Sequence, residues 1–497
     1  MIIMTCVRRH QSMINKLGRR YSSITGTDKG YQSIGSFHGE NPEFLNGLSE
    51  EEYVPPELPF ESKIKLETYN ANLMPIGGSS RIKESHFMLE KSWTFINHGA
   101  FGGALRCADL RALEWRQFQE KQPLRFFDRY LLPHLVYSNR VLSRFIGAEK
   151  PTSTVLIPNV TSGMNSVLSG YARQYCKTNE CVVVIFNWAY GSVKKMSRAY
   201  FGEQNVFEVE ITKGQKSPNP VSMKDIKHSL LQTLDVIKKQ RGNDILHNSL
   251  LILDHVTSNT ALKMPVSSLA KIAKEEGMLV LVDGAHGLLN LDLDMEKLAN
   301  NGVDFYITNA HKWFSSPRGT AIMYCRDLEL QESILRQPAI ISHGIDDGLF
   351  NRFVWDGCRD YTSMLSIPMA LDYWEMIGPE NVRKSCSDIL ERAIKILSYH
   401  WHKDEELLSK CLYATPDMLS SSMALVRLPD HLSGLAQGEA KTSTDAKNIQ
   451  DFLYINRIEV PIKCIDGHLF VRISCHVYNK QENYVRLANV IMEYSDN

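Results

Sequence analysis

The sequence predicts an α/β fold in which a mostly parallel sheet forms a large domain and a smaller α+β domain follows it. The first observation is a series of short, continuous apolar runs, which suit strands that are buried on both faces of a sheet. The second is a helical pattern between two of these runs, because alternating strands and helices indicate a parallel sheet. The third is the change after about residue 365, where a long helical region precedes three further strand-like runs.

Five continuous apolar runs are the predicted strands of the large domain. They are VVVIF (182–186), LLIL (250–253), LVLV (279–282), FYIT (305–308) and TAIMY (320–324). Between the second and third runs, Leu269, Ile272 and Ala273 form an apolar stripe at helical spacing, and Gly277 follows as a C-terminal cap. Strand, helix and strand therefore succeed one another as in a parallel sheet, and we expect the polar, Lys-rich residues 214–248 to be an excursion from it.

The chain divides into four predicted segments. They are a basic leader (1–25), an extended arm or linker rich in Gly, Ser, Pro and acids (26–90), the large domain (91–360) and the small domain (361–497). In the small domain the strand-like runs are SSMALVRL (421–428), IEVPI (458–462) and HLFVRIS (468–474), and a helix ends the chain. Residues 429–447 are expected to form a surface loop because they are rich in Gly, Ser, Thr and Lys.

The leader carries five basic residues and no acid, and several of its apolar residues fall on one helical face. Arg-rich, acid-free and amphipathic segments are typical of mitochondrial transit peptides. The step Arg19-Arg20-Tyr21 before Ser22 resembles a matrix-peptidase cleavage site. We therefore expect the protein in the mitochondrial matrix, and the alternative is an untargeted basic tail on a cytoplasmic protein.

The composition excludes several classes of partner. Lys and Arg together number 56, as do Asp and Glu, so no net charge attracts nucleic acid or an anionic membrane. No apolar run reaches the length of a membrane span. The ten cysteines include no CxxC pair, and the closest pair is Cys176 and Cys181. We therefore expect reduced thiols, with neither a disulfide framework nor a zinc site.

Residues that could take part in chemistry follow three of the predicted strands. Open parallel sheets bind their ligands at these carboxyl ends of the strands. Asp283 follows LVLV, and Lys312 comes shortly after FYIT. Asp283 alone also suits a turn cap, and Lys312 alone also suits a surface turn or an ion pair with Asp283. After a strand-like piece, Thr161-Ser162-Gly163 opens a helix whose free N–H groups attract phosphate, although Ser and Thr are also ordinary caps.

Together these three features form a much more specific pattern. A phosphate cradle comes first, then a strand-end acid, and then a lysine 29 residues after that acid. Pyridoxal phosphate chemistry requires a lysine for the Schiff base and an acid that keeps the ring nitrogen protonated. The motifs GxGxxG after a strand, GxxxxGK[ST], HExxH and GxSxG are absent. The predicted cofactor is pyridoxal phosphate, and no metal is expected.

Six motifs then resemble the class V aminotransferase family of pyridoxal phosphate enzymes, in particular its isopenicillin N epimerase-like and cysteine desulfhydrase-like subgroup. They are NHGAFGG (97–103), PNVTSGMNSVL (158–168), LVDGAH (281–286), NAHKWFSSPRGTA (309–321), WDGCRD (355–360) and FVRISCHVYN (470–479). The resemblance covers residues 91–497 in outline. It implies the PLP-dependent transferase-like fold (fold type I), a homodimer and an amino-acid substrate.

The resemblance also assigns a role to each candidate site residue. Lys312 matches the Schiff-base lysine, Asp283 the carboxylate on the pyridine nitrogen, and His286 the position near the ring hydroxyl. Arg472 matches the arginine that binds the substrate carboxylate, and His98 is assigned to the substrate as well. The other implied cofactor contacts are Thr161, Ser162, Gly163, Asn309 and His311 around the phosphate, Tyr190 on the ring, and the Gly357–Cys358 loop.

Two departures from the family pattern are visible. Family members often have Gly-Thr where this chain has Gly357-Cys358, in a loop that usually reaches the cofactor phosphate of the partner subunit, so a hydroxyl donor is missing. Cysteine desulfurases carry a nucleophilic cysteine on a loop upstream of the carboxylate-binding arginine. Here Cys464 lies eight residues before Arg472, in or near a predicted strand, and we interpret it as a structural thiol. Persulfide-forming desulfurase activity is therefore disfavoured.

The predicted reaction begins at the α-carbon of an amino acid, where Lys312 is positioned to remove the proton. The motifs leave three outcomes open, namely elimination of a β-thiol, epimerisation and transamination. We favour the elimination, which would make the protein a cysteine desulfhydrase-like C–S lyase. The alternative from another class is a non-catalytic scaffold, which the retention of Lys312, Asp283 and Arg472 disfavours.

Overall fold

The computed structural model describes residues 41–69, 80–176, 181–211, 220–403, 412–434 and 440–494. The predicted transit peptide and the first part of the arm lie outside these residues. Among the described helices, none combines the length and the apolar character needed to cross a lipid bilayer. In the same ranges, no group of three or more His, Cys, Asp or Glu side chains is arranged to hold a metal ion.

The described strands form a central seven-stranded sheet, a three-stranded sheet and one isolated pair. They are β1 (Thr94–Phe95), β2 (Thr154–Ile157), β3 (Val183–Phe186), β4 (Val206–Val209), β5 (Leu250–Asp254), β6 (Leu279–Asp283), β7 (Phe305–Asn309), β8 (Ala321–Tyr324), β9 (Met423–Arg427), β10 (Ile458–Glu459), β11 (Ile462–Ile465) and β12 (His468–Ser474). The large sheet has the order β2-β8-β7-β6-β5-β3-β4, and the small sheet the order β11-β12-β9.

Helices cover both sheets. They are α1 (Pro42–Gly47), α2 (Ser80–His86), α3 (His98–Phe101), α4 (Arg106–Lys121), α5 (Pro123–Arg125), α6 (Leu132–Phe145), α7 (Val160–Tyr175), α8 (Gly191–Phe201), α9 (Met223–Arg241), α10 (Val266–Glu275), α11 (Met295–Asn300), α12 (Leu328–Ser333), α13 (Leu349–Val354), α14 (Thr362–Leu365), α15 (Ile367–Ile377), α16 (Pro379–His402), α17 (Asp430–Ser433), α18 (Ser443–Ile455) and α19 (Gln481–Glu493). One π-helical segment, Phe126–Leu131, joins α5 to α6.

The large sheet is mostly parallel, because β8 alone runs antiparallel to both of its neighbours. The strands β3, β4, β5, β6 and β7 run parallel to one another. Every residue of β5, β6 and β7 is buried, as expected for strands that helices cover on both faces. The predicted α/β class and its mostly parallel sheet are confirmed. Because β5, β6 and β7 point the same way, their last residues lie along one edge of the sheet.

Two polar segments fold into helices that their composition did not predict. Within the expected excursion at 214–248, α9 buries Ile226, Leu230, Leu234 and Ile237 on one face, and a Ser222–Asp225 capping box begins it. The expectation of an excursion is therefore wrong for α9, since four apolar residues at helical spacing are enough to pack it on the domain. Likewise α18 begins at Ser443, inside the segment expected to be a loop, because Thr442 caps it.

Two hydrophobic cores divide the described chain. One surrounds the large sheet and includes residues of α15 and the start of α16, up to Cys386. The other packs α16 from Ile389 onward against the small sheet, α18 and α19. The long helix α16 therefore contributes side chains to both cores.

One buried side chain of the large domain makes several contacts with the described part of the arm. Arg140 of α6 donates hydrogen bonds to the carbonyl oxygens of Asn46, at 3.0 Å, and Leu48, at 2.8 Å. It also forms an ion pair with Glu50 at 2.6 Å. The guanidinium thus satisfies the carbonyls that α1 leaves unpaired at its end.

One pair of cysteines departs from the expected reduced state. Cys176 and Cys181 form a disulfide with their Cα atoms 5.5 Å apart. The prediction of reduced thiols is wrong for this pair, because the two Cα atoms lie within the distance that a disulfide spans.

Candidate active site

A cavity of about 500 Å³ opens where the strands β5, β6 and β7 end, between the large sheet and the small domain. The sheet contributes the last residue of each strand, and the small domain contributes residues of α18, β11 and β12. The predicted site residues that line this one cavity are Thr161, Tyr190, Asp283, His286, Asn309, His311, Lys312 and Arg472. The fold therefore brings together residues that are as far as 311 positions apart in the sequence.

Lys312 lies in the tight connection between β7 and β8, and the surrounding backbone holds that connection closely. The Lys312 carbonyl oxygen accepts hydrogen bonds from Ser315 N, at 2.9 Å, and from His98 Nε2, at 3.0 Å. Behind the turn, a Cβ atom on Gly102 would lie 1.9 Å from the His311 carbonyl oxygen, so only glycine fits there. Gly102 also has φ +70, which favours glycine. The turn is thus fixed from behind, with the amine facing the cavity.

A histidine next to the amine fixes its charge. Trp313 Nε1, which can only donate, lies 3.3 Å from His286 Nδ1, so that nitrogen is the acceptor. Burial and the nearby cations hold the pKa of His286 well below its usual range, so the ring is neutral and carries its proton on Nε2. Nε2 lies 3.0 Å from Lys312 Nζ. The Nε2–H can therefore donate to a neutral amine and is unfavourable next to an ammonium group, so this contact favours the uncharged form of Lys312.

The electrostatics of Lys312 agree with this assignment. Burial, together with the Arg472 charge, lowers the pKa of Lys312 to about 8, although Asp283 and Asp254 act in the opposite direction. About a tenth of the amine is thus uncharged at pH 7. The uncharged amine is the form that reacts with a carbonyl group.

Two carboxyl groups face each other at the ends of neighbouring strands. Asp254 and Asp283 are paired in the register of β5 and β6, and both line the cavity. Burial raises the pKa of each, and the charge of Asp283 raises that of Asp254 further. Asp283 also accepts a hydrogen bond from Ala285 N at 2.9 Å, which favours its ionised form. Of the two, Asp283 is therefore the carboxyl group whose ionised form is better stabilised.

The start of α7 faces the opposite part of the cavity. Thr161 lines it there, and Asn309 Oδ1 accepts from Val160 N at 3.1 Å, which ties the helix start to the end of β7. The ring of His311 also lines the cavity, and its buried Nδ1 has no hydrogen-bond partner among the described residues. These groups leave a polar recess at the positive end of a helix dipole.

Several predicted contacts lie outside the cavity. Ser162 uses its hydroxyl in a capping box with Asn159. A Cβ on Gly163 would lie 2.5 Å from Ile157 Cδ1, so Gly163 permits close packing of α7 on the sheet and does not face the cavity. Gly357 and Cys358 do not line this chain's own cavity, and Cys358 is exposed. Their assigned contact is to the cofactor of a partner subunit, and it stays a prediction.

His98, which is expected to contact the substrate, does not line the cavity in this structure. It is fully buried, and its neighbour Asn97 lines the cavity in its place. Its Nδ1 lies 2.7 Å from the Tyr478 hydroxyl, while its Nε2 is bonded to the Lys312 carbonyl oxygen. Both ring nitrogens are therefore engaged, and His98 supports the turn that carries Lys312.

Arg472 reaches the cavity from β12 of the small sheet. Its guanidinium donates to the Ser258 carbonyl oxygen at 2.5 Å and to Asn97 Oδ1 at 3.2 Å. Burial lowers the pKa of Arg472 to about 10, which still leaves it charged at neutral pH. Both described partners are neutral oxygens, so the positive charge is available to an anionic ligand.

Two cavity residues were missed by the sequence reasoning. Asp254 ends the run LLIL, and the same search for polar residues after strands that found Asp283 would have found it. Lys463 lies in β11 and lines the cavity beside Arg472. No local signal marks Lys463, because its role depends on which face of a short strand meets the other domain.

The residues present fit pyridoxal phosphate. The cavity offers an amine of lowered pKa at Lys312, a carboxyl group at Asp283 for a ring nitrogen, and a helix start at Thr161 for a phosphate. The unpartnered His311 Nδ1 adds a free polar atom on the same side. The set thus supplies one group for each reactive or charged part of the cofactor.

Comparison with known proteins agrees with this chemistry. A family model described as aminotransferase class-V matches residues 227–487, and one described as aminotransferase class I and II matches residues 125–307. An L-cysteine desulfhydrase of Arabidopsis thaliana is 29% identical over 80% of this chain and 87% of its own length. A second Arabidopsis thaliana protein, named "Probable L-cysteine desulfhydrase, chloroplastic", is 30% identical over 83% of this chain and 85% of its own length.

A solved structure shares the fold at low sequence identity. The apo structure of a cysteine desulfurase from Thermococcus onnurineus NA1 superposes with a TM-score of 0.61 at 16% identity. The match covers 84% of this chain and 98% of that one.

Proposed function

The chain belongs to the class V aminotransferase family of pyridoxal phosphate-dependent enzymes, and on that premise we propose that it is a C–S lyase that eliminates the β-thiol group of cysteine or a related amino acid. The predicted fold type I architecture, the cofactor and the enzymatic character follow from membership of this family. The reaction itself is our proposal, and the names of the two Arabidopsis thaliana relatives support it.

The observation that carries the choice of a lyase is a cavity without a thiol. Within the described part of the chain, no cysteine lines the cavity. Cys464, the candidate nearest to Arg472 in the sequence, is half-buried, and its Sγ lies 3.1 Å from the Lys441 carbonyl oxygen. A desulfurase needs a mobile thiolate that attacks the substrate sulfur, whereas an elimination needs only a base at the α-carbon. The described cavity contains a candidate for that base, Lys312, and no thiol.

The residues that would hold the cofactor are those that face its functional groups. Lys312 would hold it covalently, Asp283 would face the ring nitrogen, and Thr161, Asn309 and His311 would surround the phosphate. When bound there, pyridoxal phosphate supplies an electron sink that stabilises negative charge at the substrate α-carbon.

Lys312 is the proposed base. In its neutral form this amine would take the proton from the substrate α-carbon, a transfer that typically contributes about 10²–10⁴-fold to the rate. The Nε2–H of His286 favours the uncharged form of this amine. Asp283 keeps a proton on the ring nitrogen, because an ionised carboxylate stabilises the protonated base beside it.

Arg472 binds the substrate carboxylate, because its planar guanidinium matches the two oxygens of that group. With the carboxylate held by Arg472, Lys312 would take the α-proton and the thiol would leave from the β-carbon. The net reaction for cysteine consumes one water and yields hydrogen sulfide, pyruvate and ammonia, so no external oxidant is required.

The test is product analysis with the purified holoenzyme and L-cysteine. We expect sulfide, pyruvate and ammonia in equal amounts, and we expect Lys312→Ala to lose at least about a thousandfold in rate, since it removes both the covalent anchor and the base. Lys271→Ala, which changes an exposed lysine of α10, serves as the control. A keto acid without sulfide would indicate transamination, and inversion at the α-carbon would indicate epimerisation. Either result in the absence of sulfide would refute the lyase proposal.

We also propose that the protein is a homodimer. Phe101 is 69% exposed and Tyr190 is 48% exposed, although both line the cavity, so each presents an aromatic ring to solvent at the cavity mouth. The Gly357–Cys358 loop lies away from the cavity of its own chain. Both observations are consistent with a second copy that covers the mouth and contributes this loop.

The mitochondrial matrix is our proposal for the location. It rests on residues 1–25, which carry five basic residues and no acid. Imaging of the full chain with a C-terminal fluorescent tag, beside a variant that lacks residues 1–25, tests it. A mitochondrial signal that survives the deletion, or no such signal in either form, would contradict the proposal.

A further inference from the structure

A second cation faces the cavity from the small domain. Lys463 of β11 lines the cavity together with Arg472 of β12. The two strands are antiparallel, and Lys463 is paired with Phe470, two residues before Arg472. Side chains two positions apart on a strand share a face, so Lys463 and Arg472 emerge diagonally on the same side of the small sheet.

Neither cation has an acidic partner among the residues that the structure describes. Arg472 is bonded to the Ser258 carbonyl oxygen and to Asn97 Oδ1, and Glu459 interacts with the Asn97 side chain instead of the guanidinium. Lys463 has neither a hydrogen bond nor an ion pair from its ammonium group within the described ranges. Partial burial and the charge of Arg472 lower the pKa of Lys463 to about 8. Two uncompensated positive groups therefore share one wall of the cavity.

An ordinary amino acid does not account for both of them. Its single carboxylate engages one guanidinium, which Arg472 already supplies. The acids of the cavity, Asp254 and Asp283, lie at the strand ends beside Lys312. Like charges held side by side at a partly buried site repel each other, and an anion between or beside them relieves this repulsion. The wall is therefore suited to a ligand with two acidic groups.

We propose that Lys463 forms a second anion site, and that the preferred substrate is a cysteine-type amino acid whose sulfur carries a side chain ending in an acidic group. Gln450 adds to this site, since it lines the cavity and its Oε1 already accepts from Ile462 N at 3.1 Å, which leaves its amide N–H groups for an acid oxygen. The nature of the reaction rests on the function proposed above, whereas the anion site itself does not depend on it.

The test compares two ligands of one shape and different charge. α-Methylglutamate and α-methylglutamine have no α-hydrogen, so the holoenzyme binds them without turnover, and the change in cofactor absorbance reports their dissociation constants. We expect the wild-type enzyme to bind the acid about tenfold more tightly than the amide, since a charge-assisted contact is stronger than a neutral one. Lys463→Met should remove this preference by weakening only the acid, and Lys463→Arg should retain it. Lys447→Met, on the exposed face of α18, is the matched control and should leave both constants unchanged.

Three outcomes would overturn the proposal. Equal weakening of both ligands in Lys463→Met would show that Lys463 shares the α-carboxylate with Arg472. An unchanged preference in that variant would show that the ammonium group is simply solvated at the rim. A wild-type enzyme without any preference for the acid would show that no second anion site exists.

Turnover separates this inference from the proposed reaction. With S-(2-carboxyethyl)cysteine and its side-chain amide as substrates, we expect about a tenfold higher kcat/KM for the acid, and Lys463→Met should remove that advantage. Pyruvate formation from both substrates without selectivity would leave the lyase standing and refute the anion site. Selective binding of α-methylglutamate, without formation of pyruvate from any thioether or from cysteine, would support the anion site and refute the lyase proposal.

Discussion

At the scale of single residues, the hydrogen bond from Trp313 to His286 decides the charge of Lys312. Because the indole nitrogen can only donate, the imidazole must carry its proton on the nitrogen that faces the amine. If Trp313 did not donate to Nδ1, His286 could carry its proton there and present Nε2 to Lys312 as an acceptor, which would stabilise an ammonium group. Trp313, which does not line the cavity, therefore influences the charge of Lys312 through His286.

This arrangement predicts the behaviour of Trp313→Phe. Without the indole donor, His286 can carry its proton on Nδ1, so Nε2 accepts from an ammonium group and the pKa of Lys312 rises above its value of about 8. Since only the neutral amine captures pyridoxal phosphate, the pH midpoint for capture by the apoprotein should move upward. The capture rate at pH 7 should fall about tenfold for each unit of that shift.

The control for this measurement is Trp115→Phe. Trp115 is equally buried, and its indole nitrogen has no partner among the described residues, so the variant opens a similar space without changing the site. A pH profile that moves equally in both variants, or in neither, would contradict the role assigned to Trp313.

At the scale of elements, Arg140 connects the arm to the large domain. Its buried guanidinium donates hydrogen bonds to the carbonyl oxygens of Asn46 and Leu48 at the end of α1, and it forms an ion pair with Glu50. A short helix of six residues has little stability of its own, so its position depends on this contact and on the packing beneath it.

We therefore expect Arg140→Ala to lower the free energy of unfolding by about 3 kcal/mol, because it leaves buried carbonyl groups without a donor. Protease cleavage within residues 41–50 should become faster as well. Urea denaturation and limited proteolysis measure the two effects. Arg144→Ala is the matched control, since that side chain is 67% exposed and lies 3.9 Å from the same Glu50. Equal effects of the two substitutions would refute the role of Arg140.

At the scale of the whole molecule, the cavity is a product of two cores and, in our proposal, of two chains. The helix α16 runs through both cores, so the Arg472 wall is held in a defined position over the strand ends. The proposed second copy would close the mouth near Phe101 and Tyr190 and bring in the Gly357–Cys358 loop.

Mixed dimers test this arrangement directly. We expect Cys358→Trp to inactivate the enzyme by blocking the cofactor phosphate of the partner subunit, while Lys312→Ala inactivates its own cavity. After subunit exchange, half of the dimers are mixed, and each has one cavity with both native residues, so activity should return to about a quarter of the wild-type level. Mixed dimers without activity, or a monomer in light-scattering measurements, would contradict the proposal.

Much of the fold and part of the site could be predicted because the signals are local. The runs LLIL, LVLV and FYIT are apolar throughout, which is sufficient to place them as buried parallel strands. Asp283 and Lys312 each lie at or shortly after the end of a strand, and parallel strands bring such ends to one edge of the sheet. The helix α9 was missed because its apolar residues are few and widely spaced among lysines, so the polar composition of the segment masked their period.

What the sequence alone determined, then, is the α/β class, the strand-end acid and amine, and the family resemblance that pairs them with a cofactor. Only the tertiary structure decided which neighbours those groups have. His98 is bonded to a tyrosine 380 residues away and supports the turn behind Lys312, and Lys463 faces the cavity because β11 is paired with β12. The physical reason is that strands and helices arise from short-range patterns of apolar residues. The orientation of a side chain toward a distant partner, by contrast, is set only when the two cores pack together.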